Sequence, residues 1–414
     1  MKNIRQALTA LWRIRLLQFF FYCAFGAGIP FFSLYYKKIL IMPDSTPAHY
    51  LIGLIFFIQA LLGIVATPFA GFLADKFKIE NRLLTLFSFV VCLGALIIAV
   101  PGLRLFSSWS LQQRFLTIMV GVVLNGLFVR PIVPLIDTET LGYLHEKWGN
   151  SKRYGSIRVF GAVGWIISAS LFGAIIYRWK HLNIPAVGYS IGFIILALIA
   201  LSGFRVKIKP ARIPWDFLQK DKTFKRFLVF SFILTLGFSN SFIFTSYFFD
   251  DVKVNYLITG LALGLASICE IPVLLFNKSL LERIGNRQMI ITGSLFQALK
   301  LVLVLLVIGS THKWLLIFVQ CLTALGFSLH ITGMINLIDR LAHPDLRSTY
   351  QSLFHISMSL ATASGCLFAS FILKNLNSSW LMGLDSLIIF VAIVYFIFSV
   401  RGHGPDRADN QPSL

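Results

Sequence analysis

Long apolar runs separated by short polar connectors set the pattern of this chain. A membrane-spanning helix needs about 20 mostly apolar residues. Runs of that kind recur near 14–36, 50–74, 83–101, 112–137, 154–178, 185–203, 224–249, 255–277, 288–308, 313–337, 348–373 and 379–400. The pattern predicts an all-α integral membrane protein of twelve transmembrane helices. The first run has no signal-peptide cleavage pattern after it and is read as helix 1.

The connectors give orientation. With the N-terminus inside, inner segments and their flanks carry 25 Lys and Arg, and outer loops carry 9. That bias places both termini in the cytoplasm. The longest connector, 204–223, holds Arg205, Lys207, Lys209, Arg212, Lys220 and Lys222. It divides the chain into a six-helix bundle over 1–203 and another over 224–400. The polar stretch 401–414 reads as a cytoplasmic tail.

Composition agrees. Hydrophobic residues make up 57% and charged residues only 13%, against about 25% charged in soluble proteins. A net charge of +20 would suggest nucleic acid in a soluble chain. Here the basic residues sit between spans, so lipid is the expected partner and nucleic acid is not. Cys23, Cys92, Cys269, Cys321 and Cys366 lie within apolar runs without metal-ligand spacing and read as packing residues. Gly-x-x-x-x-Gly-Lys-Ser/Thr, His-Glu-x-x-His and Gly-x-Ser-x-Gly do not occur, so ATP drive, zinc hydrolysis and a serine elbow have no support. Neither an enzyme nor a cofactor is expected.

The halves resemble one another. Leu135-Ile136-Asp137 closes span 4 and Leu337-Ile338-Asp339 closes span 10; Pro68 and Pro272 precede the loops after spans 2 and 8. Arg153-Tyr154-Gly155-Ser156 opens span 5, and Arg347, Tyr350 and Ser352 open span 11. Duplicated halves with a site between them are a recurrent transporter design.

The loop GFLADKFKIENR (71–82) resembles the signature between spans 2 and 3 of the major facilitator superfamily. Gly71, Asp75 and Lys76 match it; Ile79 stands near the usual second glycine, and Arg82 supplies a late basic residue. FYCAFGAGIPFFSLYY (21–36), RPIVPLIDTETL (130–141), YGSIRVFGAVGW (154–165) and CEIPVLL (269–275) resemble the phenylpropionate-permease-like subgroup, close to nucleoside–proton and oligosaccharide–proton symporters. The resemblance implies two pseudo-symmetric six-helix bundles and alternating access. Lys300 matches a basic span-9 position of lactose-permease-like proteins. Their span-10 His-x-x-Glu pair is absent, since Gly333 follows His330 at that spacing. A sugar substrate is therefore not implied.

Ionisable groups inside spans cost roughly 2.5–3.5 kcal/mol at mid-helix and face a cavity or a partner. Glu270 is the first candidate for proton coupling, with a structural ion pair to Lys300 or His330 as the alternative. His330 would assist. Arg130, before Pro131 and seven residues from Asp137 on one helix face, is a candidate clamp for an anionic solute; an internal pair with Glu270 or Asp137 is the other reading. Lys300 is placed with substrate or coupling, and His355 less so. Asn125, Asn240 and Tyr22 are expected to line the path, with Phe25, Gln59, Tyr247, Gln297, Gln320 and Asn336. Asp75, Asp137, Arg158, Asp339 and Arg347, with Lys76, are expected to gate the cytoplasmic side. Asp385, near the outer end of span 12, is expected to face water. The sequence thus predicts a monomeric proton-coupled symporter of a small polar, aromatic or anionic solute in the cell inner membrane. A proton-coupled exporter is the alternative, and a membrane-embedded enzyme a weaker one.

Overall fold

A computed structural model describes residues 2–77, 79–148, 154–201, 221–342 and 347–400. Its helices are α1 (Lys2–Ile39), α2 (His49–Phe77), α3 (Glu80–Ala99), α4 (Leu111–Val129), α5 (Ile132–Trp148), α6 (Tyr154–Trp179) and α7 (Ile184–Ala200). They continue with α8 (Lys222–Ile243), α9 (Thr245–Asp251), α10 (Tyr256–Leu265), α11 (Glu270–Ile308), α12 (Leu316–Leu341), α13 (Arg347–Asn375) and α14 (Ser378–Ser399). Eleven segments are long and apolar enough to span a bilayer, and α7 is a shorter apolar helix. Together they account for the twelve expected spans. The connector 204–220 lies outside the described residues.

The helices pack in two matching sets. In the first six spans, α1 packs on α6 and α3 on α4 and α7; in the last six, α8 packs on α13 and α11 on α12 and α14. Two symmetry-related seams, α2 against α13 and α6 against α10, join the sets. Large apolar side chains such as Leu105, Leu198, Phe371 and Phe398 face outward, as expected where lipid rather than water meets the surface.

Local breaks have local causes. Span 4 is interrupted between Val129 and Ile132. Pro131 has no N–H to continue the ladder, although Arg130 keeps helical angles (φ −62°, ψ −40°). Arg130 therefore falls in the turn between α4 and α5, while Asp137 stands inside α5. Before Glu270 the chain tightens into a 3₁₀ turn, Ala266–Cys269. Within α11, Gly285 has φ +73°, a left-handed turn open to glycine without strain, and it separates spans 8 and 9.

The α6–α10 seam is unusually close. A Cβ on Gly173 would lie 2.4 Å from the Gly260 Cα, and one on Gly155 would lie 2.6 Å from the Leu274 carbonyl oxygen. Small residues let membrane helices approach backbone to backbone. That approach fixes the height at which α6 faces the start of α11. On the membrane side holding the start of α1 and the end of α14, called here the terminal side, Arg13 is buried. It pairs with Glu139 and donates to the Ile199 carbonyl at 3.2 Å and to Asn81 Oδ1 at 3.3 Å. This staple joins α1, α3, α5 and α7 within one half.

Candidate functional site

Between the halves lies a cavity of about 290 Å³. Its walls are largely aromatic. Trp165 stacks with Phe242 at 6.2 Å between ring centroids, Phe242 with Phe238 at 6.1 Å, and Phe238 with Phe327 at 5.4 Å. Tyr22 and Phe25 of α1 close the other wall. The Trp165 indole N–H donates to the Leu263 carbonyl at 2.9 Å, which fixes that ring and ties α6 to α10.

The polar groups are few and convergent. The Arg158 guanidinium lies over the Tyr22 ring at 3.7 Å, and its Nη2 is 4.0 Å from Glu270 Oε1. This is a loose ion pair backed by a cation–π contact. Arg158 Nη1 is buried without a hydrogen-bond partner, and so is Gln320 Nε2. Thr323 donates to Gln320 Oε1 at 2.7 Å, which orients the amide. Two unsatisfied donors in an apolar cavity are what an acceptor-bearing solute would satisfy. Asp137 stands beside this centre: it accepts from Tyr154 at 2.7 Å and from Gln18 at 3.1 Å, and it interacts electrostatically with Arg158.

The structure distributes the expected site residues. Glu270, Tyr22 and Arg158 line the cavity; Arg158, expected at the cytoplasmic gate, is part of the centre. His330 lies behind the aromatic wall, edge-on to Phe238 and Phe327, and its Nδ1 donates to the Gly326 carbonyl at 2.9 Å. Glu270 therefore faces Arg158, not the Lys300 or His330 considered from sequence. Asn125 bonds Tyr189 at 3.2 Å and Gln59 at 3.3 Å inside the first half. Asn240 bonds Asp385 at 3.1 Å, with Lys300 in electrostatic reach of that carboxylate. Asp385 is 0% exposed, which corrects the expectation that it faces water. Its partner is Asn240, on a helix far away in sequence. Asp339 is half-buried in the last turn of α12; the side chains of Asp75 and Arg347 lie outside the described residues.

Arg130 and His355 are both exposed, although each lies within a span, and their charges interact. Arg130 is also in electrostatic reach of Tyr189 and Cys366. Charged groups that are exposed yet surrounded by spans mark a wet vestibule rather than lipid.

The opposite membrane side, the far side, is shut. Lys37 Nζ is 2.5 Å from Asp250 Oδ2 and 2.6 Å from Asp251 Oδ1, and Lys38 is 2.8 Å from Asp250. Tyr256 donates to Asp250 at 2.9 Å, and Lys37 also lies 4.5 Å from the Tyr247 ring centroid. The Tyr247 hydroxyl is 2.9 Å from His49 Nδ1, Ser246 donates to the Pro30 carbonyl, and Phe56 meets Phe244 edge-on at 5.5 Å. Sequence reasoning passed over this cluster. Its signal was there: two lysines end span 1, and two aspartates follow span 7, in outer loops otherwise poor in charge.

The model of the MFS_1 like family matches residues 11–382. The chain belongs to this major facilitator family. It is 24% identical over 396 residues to maltose permease of Geobacillus stearothermophilus, covering 93% of this chain and 90% of that one. It is 30% identical over 152 residues to the multidrug resistance protein MdtH of Photorhabdus laumondii subsp. laumondii, covering 36% of this chain and 37% of the relative. A mutant of the nucleoside transporter NupG superposes with a TM-score of 0.78 at 15% identity over 95% of this chain and all of the other. An autoinhibited POT family peptide transporter gives 0.72 at 13% identity over 98% and 99%. The protein is a membrane transporter with the major facilitator fold, and the cavity occupies the seam between its two sets of six spans.

Proposed function

We propose that the protein is a proton-coupled symporter whose solute binds in the aromatic cavity and whose proton linkage runs through Glu270. The carrying observation is the pairing of Glu270 with Arg158 in the cavity wall, beside two unsatisfied donors. A solute oxygen that takes an N–H from Arg158 competes with Glu270 for the same cation. Loss of that cation's influence favours protonation of the carboxyl, so solute and proton bind together. The aromatic walls favour a solute with a flat or ring-shaped apolar body and several acceptor oxygens, which nucleosides, aromatic acids and sugars share.

In this reading the terminal side is the cytoplasm of a cell whose inner membrane holds the protein. The state described is open toward that side, with Arg130 and His355 lining the exit and Asn125 and Lys300 supporting the packing of each half. Asp75, Asp137, Asp339 and Arg347 would meet across the terminal side when it closes. The NupG and maltose permease likenesses support uptake. The partial match to MdtH favours export as the second reading, and the same residues would serve it.

The test is reconstitution into liposomes with an imposed pH gradient and labelled uridine, maltose and phenylpropionate as probes. Gradient-driven accumulation of one probe, lost in Glu270→Gln, is the expected result. Accumulation undiminished in Glu270→Gln would remove Glu270 from coupling.

A further inference from the structure

Away from the cavity, α8, α11 and α14 enclose a second polar cluster. Asn240, Asp385 and Lys300 are 0%, 0% and 2% exposed. Asn240 Nδ2 donates to Asp385 Oδ1 at 3.1 Å. The remaining two acceptors, Asn240 Oδ1 and Asp385 Oδ2, are buried and unsatisfied. Two orphaned acceptors at one amide–carboxyl contact are costly in a membrane interior, where water cannot serve them.

One hydrogen removes both orphans. A carboxylic acid and a carboxamide are complementary: the amide N–H donates to the acid carbonyl, and the acid O–H donates to the amide carbonyl. The observed bond supplies the first half of such a ring, and the orphans are the two atoms that its second half would use. The charged and titratable groups facing Asp385 are Lys300 on α11 and Cys366 on α13; Asn240 faces it from α8. Gly365 makes room for this contact, since a Cβ there would come 2.8 Å from Asn240 Oδ1.

We infer that Asp385 is a second proton-binding site, which in this state holds a proton on Oδ2 shared with Asn240 Oδ1. When α8 and α14 shift during the cycle, the proton leaves to water and the carboxylate that remains is balanced by the Lys300 ammonium. The site differs from Glu270 in kind: Asn240, Lys300 and Asp385 are not among the cavity-lining residues, so it senses helix arrangement rather than solute. The inference rests on the proposed proton coupling for its role in transport, but not for the presence of the proton.

Infrared difference spectroscopy of the reconstituted full chain tests the proton without any solute. A protonated-carboxyl band at neutral pH, present in the wild type and in Glu270→Gln and absent from Asp385→Asn, is expected. Asparagine at 385 can keep both hydrogen bonds, so that variant should fold. It should retain counterflow of the probe that the wild type transports but lose accumulation driven by the pH gradient. Absence of an Asp385-dependent band overturns the inference, and so does saturable binding of labelled sodium that Asp385→Asn abolishes. A band that is present while the wild type transports nothing with protons would remove the symport reading and leave the proton on Asp385. Gradient-driven accumulation undiminished in Asp385→Asn would remove its part in coupling.

Discussion

The two mouths of the transporter are built differently. On the far side, charges from opposite halves meet: Lys37 and Lys38 from α1, Asp250 and Asp251 from the end of the seventh span. On the terminal side, the described Arg13–Glu139 pair joins spans of one half only, and Arg130 and His355 face open space. A charge pair within a half holds a bundle rigid, whereas a pair between halves chooses which mouth is shut. The difference teaches that position relative to the seam, not the presence of charge, makes a gate.

Removing one partner of the far-side cluster should have the largest effect. Asp250→Ala leaves Lys37 buried beside a single, more exposed aspartate, and breaking a buried pair costs about 3 kcal/mol. The closed-to-open ratio of the far side should fall by about two orders of magnitude. Spin labels at Tyr50 and Leu376, both exposed and at the far-side ends of α2 and α13 from different halves, would report the added separation; an unchanged distance distribution would sink the gate assignment. Exchanging the charges, Lys37→Asp with Asp250→Lys, should recover part of the loss, which a purely steric role would not.

The seam itself comes next. Gly173→Leu forces a side chain against Gly260 and should cost about 1–3 kcal/mol, read as lower thermal stability and slower exchange. Gly383→Ala, with nothing within 4 Å of its Cβ, is the control. Tyr247→Phe should cost about 1 kcal/mol through the lost bond to His49, visible as a small shift in the same label distances.

The smallest effect expected is that of pH on the far mouth. Burial would raise the Asp250 carboxyl, but bonds from Lys37 and Lys38 outweigh it and hold it below the ordinary 3.8. A carboxyl lowered on closure contributes fully above its ordinary value and loses that contribution as acid titrates it below. With His49 replaced by Gln, far-side label distances should therefore be flat from about pH 5 to 8. A transition there would mean that another group, not Asp250, sets closure.

Much of the scaffold was legible. Twelve spans were readable because bilayer thickness sets a length and apolar runs announce it. The pause in span 4 was half visible in Pro131, though its consequence for the Arg130–Asp137 face was not drawn. What escaped was direction around each helix. Helices apolar on every side carry little facial signal, so Asp385 could be given a depth but not a neighbour, and Asn240 was read as path-lining. Arg158 was read as a gating charge of the cytoplasmic side, and its meeting with Glu270 depends on glycine contacts between residues far apart in sequence, Gly173 with Gly260 and Gly155 with Leu274. The aromatic wall was invisible for another reason: among 40 Phe, nothing local distinguishes Phe238 and Phe242 from those buried in the bundles or facing outward.

The glycine crossing of α6 and α10 has a mechanical consequence. Two backbones touching without side chains make a bearing, not an interlocked gear. From Gly173 to Arg158 is fifteen residues, a lever arm of about 22 Å at 1.5 Å per residue. Turning α6 against its neighbour by about 10° around that bearing would carry Arg158 about 4 Å, as far again as its present distance from Glu270. The loose ion pair in the cavity thus sits at the end of a long pointer, where a small tilt is read as a contact made or lost.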